Sequence, residues 1–347
     1  MAEPANSISR PRVLSGMRPT GKLHLGNYMG ALANWVKLQN DYECYFFIAD
    51  LHALTTDYAD TSQIAVNTME VALDFLGAGL DPARCTIFVQ SMVKQHYELP
   101  LLLGMITPIG WLERVPSYKE MQENLTHRDL TNFGFLGYPV LMASDILLYQ
   151  PKFVPVGQDQ QAHVELTREL ARRFNHFYKP SADNACDVLP EPDVLLTPSP
   201  KLPGTDGRKM SKSYGNTILL TDPEPVVRQK LKTMVTDPAR KRRSDPGEPD
   251  KCPVGDMHKI FSTPQTMEKV YEGCRGATIG CIECKSWLAD ALVQVLQPIQ
   301  ERRATFSEPR VREILEGGSR RAAKRAAETM NDVYSAMKMS LTAETAP

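Results

Sequence analysis

The feature that most restricts how this chain can fold is a repeated order of short apolar strand, loop and helix in its N-terminal half. Cys44-Tyr45-Phe46-Phe47-Ile48-Ala49 is apolar at both odd and even positions, so both faces of the strand must be buried. That is the signature of an interior strand in a parallel sheet. Val13-Leu14-Ser15 precedes it as a first strand and Thr86-Ile87-Phe88-Val89 follows as a third. Between them run helical patterns, one carrying Leu32, Trp35, Val36 and Leu38 and one near residues 61 to 77. Lys152-Phe153-Val154-Pro155-Val156 is a further strand, ending in a turn at Gly157-Gln158-Asp159-Gln160. Strand and helix alternating at this spacing predict a doubly wound parallel α/β sheet, with its ligand site at the carboxyl ends of the strands.

The remainder is organised differently. Residues 97 to 150 read mostly as helix, broken by polar Ser117 to Thr131. Six prolines from Pro180 to Pro203 mark a connecting segment. From Pro223 the pattern is all helical, with a basic interruption at Arg240-Lys241-Arg242-Arg243 and a last helix bearing Arg320, Arg321, Lys324 and Arg325. The expected division is residues 1–203, a mobile loop at 204–222 and a helical domain at 223–347. A chain of 347 residues can bury cores for two such units. Lys+Arg of 40 against Asp+Glu of 41 gives a net charge of −1, so any nucleic-acid contact must use local patches. No apolar run approaches the roughly 18 residues of a membrane span, and Met1-Ala2-Glu3-Pro4 does not open a signal peptide. The expected location is the cytoplasm.

Two stretches carry phosphate chemistry. Gly207-Arg208-Lys209-Met210-Ser211-Lys212-Ser213-Tyr214-Gly215-Asn216 places two lysines and two serines on a glycine-flanked loop, a set of cationic and hydroxyl donors suited to a polyphosphate. Gly204-Thr205-Asp206-Gly207 before it reads as a hinge. Thr20-Gly21-Lys22-Leu23-His24-Leu25-Gly26-Asn27 joins the first strand to a helix N-terminus, where free N–H groups and the helix dipole favour anions. The bland readings are a solvated basic turn and a histidine that caps or packs.

Together these stretches resemble the two signature motifs of class I aminoacyl-tRNA synthetases, with Asn27 where the second histidine usually stands. Tyr138 to Tyr149, Val154 to Gln160 and His163 to Arg168 narrow the resemblance to the tryptophanyl-tRNA synthetases, from about Val13 to the last helix. The fold implied is a Rossmann-like catalytic domain with an all-helical anticodon-binding domain. The activity implied is ATP-dependent joining of L-tryptophan to tRNA(Trp) through tryptophanyl-adenylate, with Mg²⁺ held mainly by phosphates. By the same resemblance Thr20, His24, Lys209, Ser211 and Lys212 serve catalysis, and Gly21, Gly26, Asn27, Gly157, Asp159 and Met210 bind the nucleotide. Arg18, Tyr138, Met142, Asp145 and Gln160 would bind the amino acid.

Asp145 is the acceptor expected for the single N–H donor of an indole, with Tyr138 and Met142 at i, i+4, i+7 on one helical face. Its alternative is a core carboxylate paired to a neighbour. Asp159 would hold ribose hydroxyls and Gln160 the polar end of the amino acid. The arginine runs are candidates for RNA phosphate contacts, or a solvated face. The resemblance implies a homodimer whose subunits share one tRNA. A tyrosyl-tRNA synthetase is the nearest other enzyme, and it carries a tyrosine in its first strand where this chain has Leu14. A small nucleotidyltransferase and a non-catalytic RNA-binding relative are the remaining alternatives.

Cys252, Cys274, Cys281 and Cys284 fall within 33 residues. Four thiols so gathered suit tetrahedral zinc or a [4Fe-4S] cluster; the plainer reading is free structural thiols. The pattern resembles the iron-sulfur branch of the same family, which implies a structural or anticodon-reading centre.

Overall fold

The computed structural model describes residues 10–115, 131–178, 186–196 and 202–339. β1 (Arg12–Met17), β2 (Glu43–Ile48), β3 (Cys85–Val89), β4 (Phe153–Val156) and β5 (Asp193–Leu196) form one sheet in the order β3-β2-β1-β4-β5, with every pairing parallel. The strand order reverses between β1 and β4. In a doubly wound sheet a ligand crevice opens there, at the carboxyl ends of the strands.

Helices α1 (Ala33–Leu38), α2 (Asp50–Asp57), α3 (Ile64–Ala78), α4 (Gln95–Ile106), α5 (Phe133–Tyr149) and α6 (Gln161–Tyr178) connect and cover the strands. α1 is entered through Leu25–Asn27 and a π turn at Tyr28–Leu32. Beyond Pro223 the described secondary structure is helical, with α7 (Glu224–Thr233), α8 (Pro253–Phe261), α9 (Pro264–Arg275), α10 (Cys281–Ala304) and α11 (Glu308–Ala336). The polar stretch from Ser117 to residue 130 lies outside the described residues.

Alternation along β2 feeds two cores. Cys44, Phe46 and Ile48 belong to one core with Trp35 and Phe75, which the α10 residues Leu288, Leu292, Leu296 and Ile299 extend where α10 packs on α3 and α7. Trp35 lies flat on Phe46 at 4.8 Å and meets Phe75 edge-on at 5.4 Å. Tyr45, Phe47 and Ala49 face Phe88, Tyr149 and the α11 residues Ala322, Ala326, Met330 and Val333. At about 1.5–3 kcal/mol for each fully buried large apolar side chain, apolar burial binds α11 to β3 and α10 to α3 and α7. α11 crosses β3 so closely that a Cβ at Gly318 would lie 1.8 Å from the Ile87 carbonyl oxygen.

β5 falls inside the proline-rich segment read from sequence as a connection. It has four residues and pairs along its length with β4, from Phe153↔Asp193 to Val156↔Leu196. An edge strand this short carries too little pattern to separate it from a loop.

Candidate active site

The first stretch expected to handle phosphate is paired backbone to backbone with the segment that directly follows the second, nearly two hundred residues later in the chain. Leu25 N–H donates to the Ile218 carbonyl at 2.9 Å, and Leu220 N–H donates to the Leu23 carbonyl at 2.9 Å. His24 sits between these bonds, opposite Leu219. Its Nδ1 accepts from Gly26 N–H at 3.1 Å, and its own N–H donates to Asn27 Oδ1 at 3.1 Å. Burial, reinforced by the nearby Lys212 ammonium, lowers the His24 pKa to about 4. The ring is therefore neutral at pH 7, and with Nδ1 accepting, its proton is on Nε2.

Lys212 reaches across to the first loop. Its ammonium donates to the Gly21 carbonyl at 2.8 Å and to the Thr20 carbonyl at 3.1 Å, with Thr20 Oγ1 at 3.5 Å. Burial brings its pKa down to about 8, against the pull of Asp74 in the other direction. Gly21 has φ +103°, which a side chain would strain.

The loop between is organised by Asn216, a residue whose role the sequence did not disclose. Asn216 Oδ1 accepts from Ser211 N–H at 2.8 Å, while its Nδ2 donates to Asp206 Oδ1 at 2.7 Å and to the Lys209 carbonyl at 3.1 Å. Gly204 is obligatory here because a Cβ would overlap the Asn216 side chain. Met210 is buried, whereas Lys209 is exposed and Ser211 partly so.

Beside this junction opens a cavity of about 570 Å³. Eight of the expected site residues line it: Arg18, Gly26, Asn27, Tyr138, Met142, Asp145, Gly157 and Gln160, together with Leu14. Thr20, Gly21, His24, Met210, Ser211 and Lys212 belong to the paired segments next to it. The structure thus brings together the residues expected to bind nucleotide and those expected to bind the amino acid. Asp159 lies in the turn Gln158–Gln160, but its side chain is outside the described residues.

Asp145 is both a cavity residue and a core carboxylate. It is 1% exposed and accepts from His52 Nε2 at 2.8 Å, His96 Nδ1 at 2.6 Å and Gln90 Nε2 at 2.8 Å. His96 Nε2 in turn meets the Tyr149 hydroxyl at 2.8 Å. Burial pushes the Asp145 carboxyl upward, but the hydrogen bonds and charge of His52 and His96 outweigh it and hold the pKa below the ordinary value. The carboxylate is charged, and because Gln90 Nε2 also reaches its second oxygen at 2.9 Å, each oxygen already meets two nitrogen partners. His52, Gln90 and His96 were not legible as site residues, since nothing local in the sequence links them to a helix 49 to 93 residues later.

Cys252, Cys274, Cys281 and Cys284 gather as the sequence predicts, around a void of about 20 Å³ that Asp237 and Arg240 also line. Cys252 caps α8, Cys274 ends α9, and Cys281 begins α10. Among the described residues, no three His, Cys, Asp or Glu side chains stand close enough to hold a single metal ion. Arg240, read from sequence as part of a run that either solvates the surface or contacts RNA phosphates, is turned inward. Its guanidinium donates to the Ile279 carbonyl at 2.6 Å, to the Arg243 carbonyl at 3.0 Å and toward Cys274 Sγ at 3.6 Å. Lys241, Arg242 and Arg243 remain exposed.

Residues 7–297 match the family model described as tRNA synthetases class I (W and Y). The chain is 51% identical to a tryptophan–tRNA ligase of Thermotoga maritima, over 94% of this chain and 99% of that one. It is 44% identical to a tryptophan–tRNA ligase of Ralstonia nicotianae, over 94% and 98% of the two chains. In three dimensions it is similar to the tryptophanyl-tRNA synthetase of Campylobacter jejuni, solved with ADP and tryptophan, at a TM-score of 0.83 and 32% identity over 94% of this chain and 99% of that one. With a full-length match at this identity and both signature segments paired beside one cavity, the chain belongs to the tryptophan–tRNA ligases of the class I synthetases.

Proposed function

We propose that this protein activates L-tryptophan with ATP and transfers it to tRNA(Trp). The observation that carries the reading is one cavity with a charged, buried Asp145 at its amino-acid end and the His24–Lys212 junction beside it. In the first step a tryptophan carboxylate oxygen attacks the α-phosphorus of Mg-ATP. A new P–O bond forms, the bond to the β-phosphate bridging oxygen breaks, and pyrophosphate leaves as tryptophanyl-adenylate is made.

A carboxylate is already a competent nucleophile, so the protein supplies position and charge instead of a base. Neutral His24 donates from Nε2 without bringing a second positive charge against Lys212. Lys212, Lys209 and Ser211 follow the leaving pyrophosphate, with Thr20 and His24 on the other side. Asp145 accepts the indole N–H, Tyr138 and Met142 flank the ring, and Arg18 and Gln160 meet the polar end. In the second step the tRNA 3′ end takes the aminoacyl group and AMP leaves. Residues 1–203 carry the chemistry in this reading, 204–222 close over ATP, and 223–347 read the tRNA. Tryptophan alone among the twenty amino acids should support exchange of labelled pyrophosphate into ATP; faster exchange with tyrosine would reassign the enzyme.

Tyr97, Leu101 and Met105 lie at i, i+4, i+8 on α4 and are exposed, as are Ile109 and Phe133. Such an apolar stripe supports a homodimer. No helix among the described residues is long and apolar enough to cross a membrane, and the cytoplasm is the compartment where this substrate pair would meet.

The four cysteines are assigned to a [4Fe-4S] cluster. What supports it is the donor set, four thiols facing one void with the Arg240 guanidinium beside Cys274. Three of the four sit at helix ends, where small shifts can admit the larger group. When bound, a cluster here would tie α8, α9 and α10 together. Anaerobically purified protein should be brown, with absorbance near roughly 400 nm, as for thiolate-bound iron and sulfide. A colourless protein with one zinc per chain would replace the cluster by zinc, and four titratable thiols without metal would end the assignment.

A further inference from the structure

The C-terminal turns of α10 hold the junction where the two phosphate-handling segments pair. Arg303 Nε donates to Asp74 Oδ1 at 2.9 Å, and Asp74 Oδ2 accepts the backbone N–H of Leu23 at 2.9 Å, one residue before His24. Asp74 is wholly buried, so its charge has to be met by these two donors. Arg303 also pairs with Glu70 through Nη2. One turn earlier, Gln300 Nε2 donates to the Leu220 carbonyl at 2.9 Å and to the Asp222 carbonyl at 2.9 Å. Leu220 is the residue whose N–H bonds Leu23.

The two side chains therefore grip the two partners of one backbone pairing, Arg303 through Asp74 and Gln300 directly. The approach leaves no slack: a Cβ at Gly77 of α3 would lie 2.8 Å from Arg303 Cβ and 2.9 Å from the Ile299 carbonyl oxygen. Arg302 adds a bond from Nε to the Gly77 carbonyl at 2.8 Å. None of these side chains lines the cavity of the active site.

We propose that Arg303, Gln300 and Asp74 are positioning residues for adenylate formation, so that the helical C-terminal part is required for the first step before any tRNA binds. They act through Leu23 and Leu220, setting the register that places His24 opposite the lysine-serine loop. A position error there raises the barrier of ATP attack and leaves the tryptophan end, which is built on α5, untouched. The inference rests on the tryptophan-activating reading above, and its test separates the two.

The variants are Arg303→Met, Gln300→Met and the conservative Arg303→Lys, assayed in the full chain without tRNA. Relative to wild type, Arg303→Met and Gln300→Met should each lower kcat for tryptophan-dependent pyrophosphate exchange by about 30-fold, with KM for ATP raised and the tryptophan dissociation constant within about twofold. Arg303→Lys should recover most of the loss. In parallel, amide hydrogen exchange of peptides covering residues 20–28 and 216–222 should quicken by about tenfold or more in the two methionine variants. Gln300→Met creates no buried charge and so tests the idea even if Arg303→Met folds poorly. Unchanged kcat, tryptophan affinity lost in step with kcat, or no rescue by lysine would overturn the proposal. Loosened amides in the variants together with a wild type inactive on tryptophan would instead leave the grip standing and defeat the substrate reading.

Discussion

Replacing Lys212 by alanine is expected to slow adenylate formation by about two or more powers of ten while leaving tryptophan binding nearly unchanged, as for a contact made mainly in the transition state. The ammonium rests on the Gly21 and Thr20 carbonyls. These are weak partners for a charge, and a transferring phosphate can displace them. A mutant that keeps its rate but loses tryptophan affinity would give the loop another task.

The same group sets a pH limit. Burial lowers its pKa from 10.5 to about 8, so the charged, active form is lost as pH rises through that value in the free enzyme. The ratio kcat/KM for ATP should therefore fall above about pH 8, while kcat, which reports the ATP-bound state, should hold to higher pH because the phosphates favour the ammonium. Lys212→Arg should abolish the alkaline fall. A ratio flat from about pH 7 to about pH 9.5 in the wild type would remove Lys212 from this role.

Asp145→Asn should weaken tryptophan binding by about 1.5–3 kcal/mol, which is about 10- to 150-fold in the dissociation constant. The carboxylate accepts from His52, Gln90 and His96 at once. An amide has only one oxygen to offer them, and its NH₂ must face at least one of the three donors. The variant thus loses the acceptor for the indole and disturbs the network that aims it. KM for ATP should stay within about twofold, because the nucleotide end is built on other elements. Equilibrium titration with tryptophan checks this; an unchanged constant would leave Asp145 as a core carboxylate only.

Much of the architecture was legible because its causes are local. A strand buried on both faces must be apolar at every position, and β2 obeys that rule from Cys44 to Ile48. The loop after β1 needs Gly21 at positive φ and a helix start behind it, and both are within a few residues. Tyr138, Met142 and Asp145 reach one cavity because helical spacing alone puts them on one face. Four cysteines within 33 residues could be read as one site, and they do face one void.

What the sequence by itself determined is therefore which contiguous residues stand together: the two glycine-bearing loops, the cavity-facing side of α5 and the cysteine set. Backbone conformation and side-chain type act there over one or two turns. The tertiary structure alone decided which charges are buried and what answers them. Asp145 takes its two histidines from 49 and 93 residues away, Asp74 takes Arg303 from 229 residues away, and Arg240 leaves a basic run to face Cys274. A buried charge must be compensated wherever the packed chain brings a partner, and that place is set by how the helices pack, α10 on α3 and α11 on β3, which no local pattern encodes.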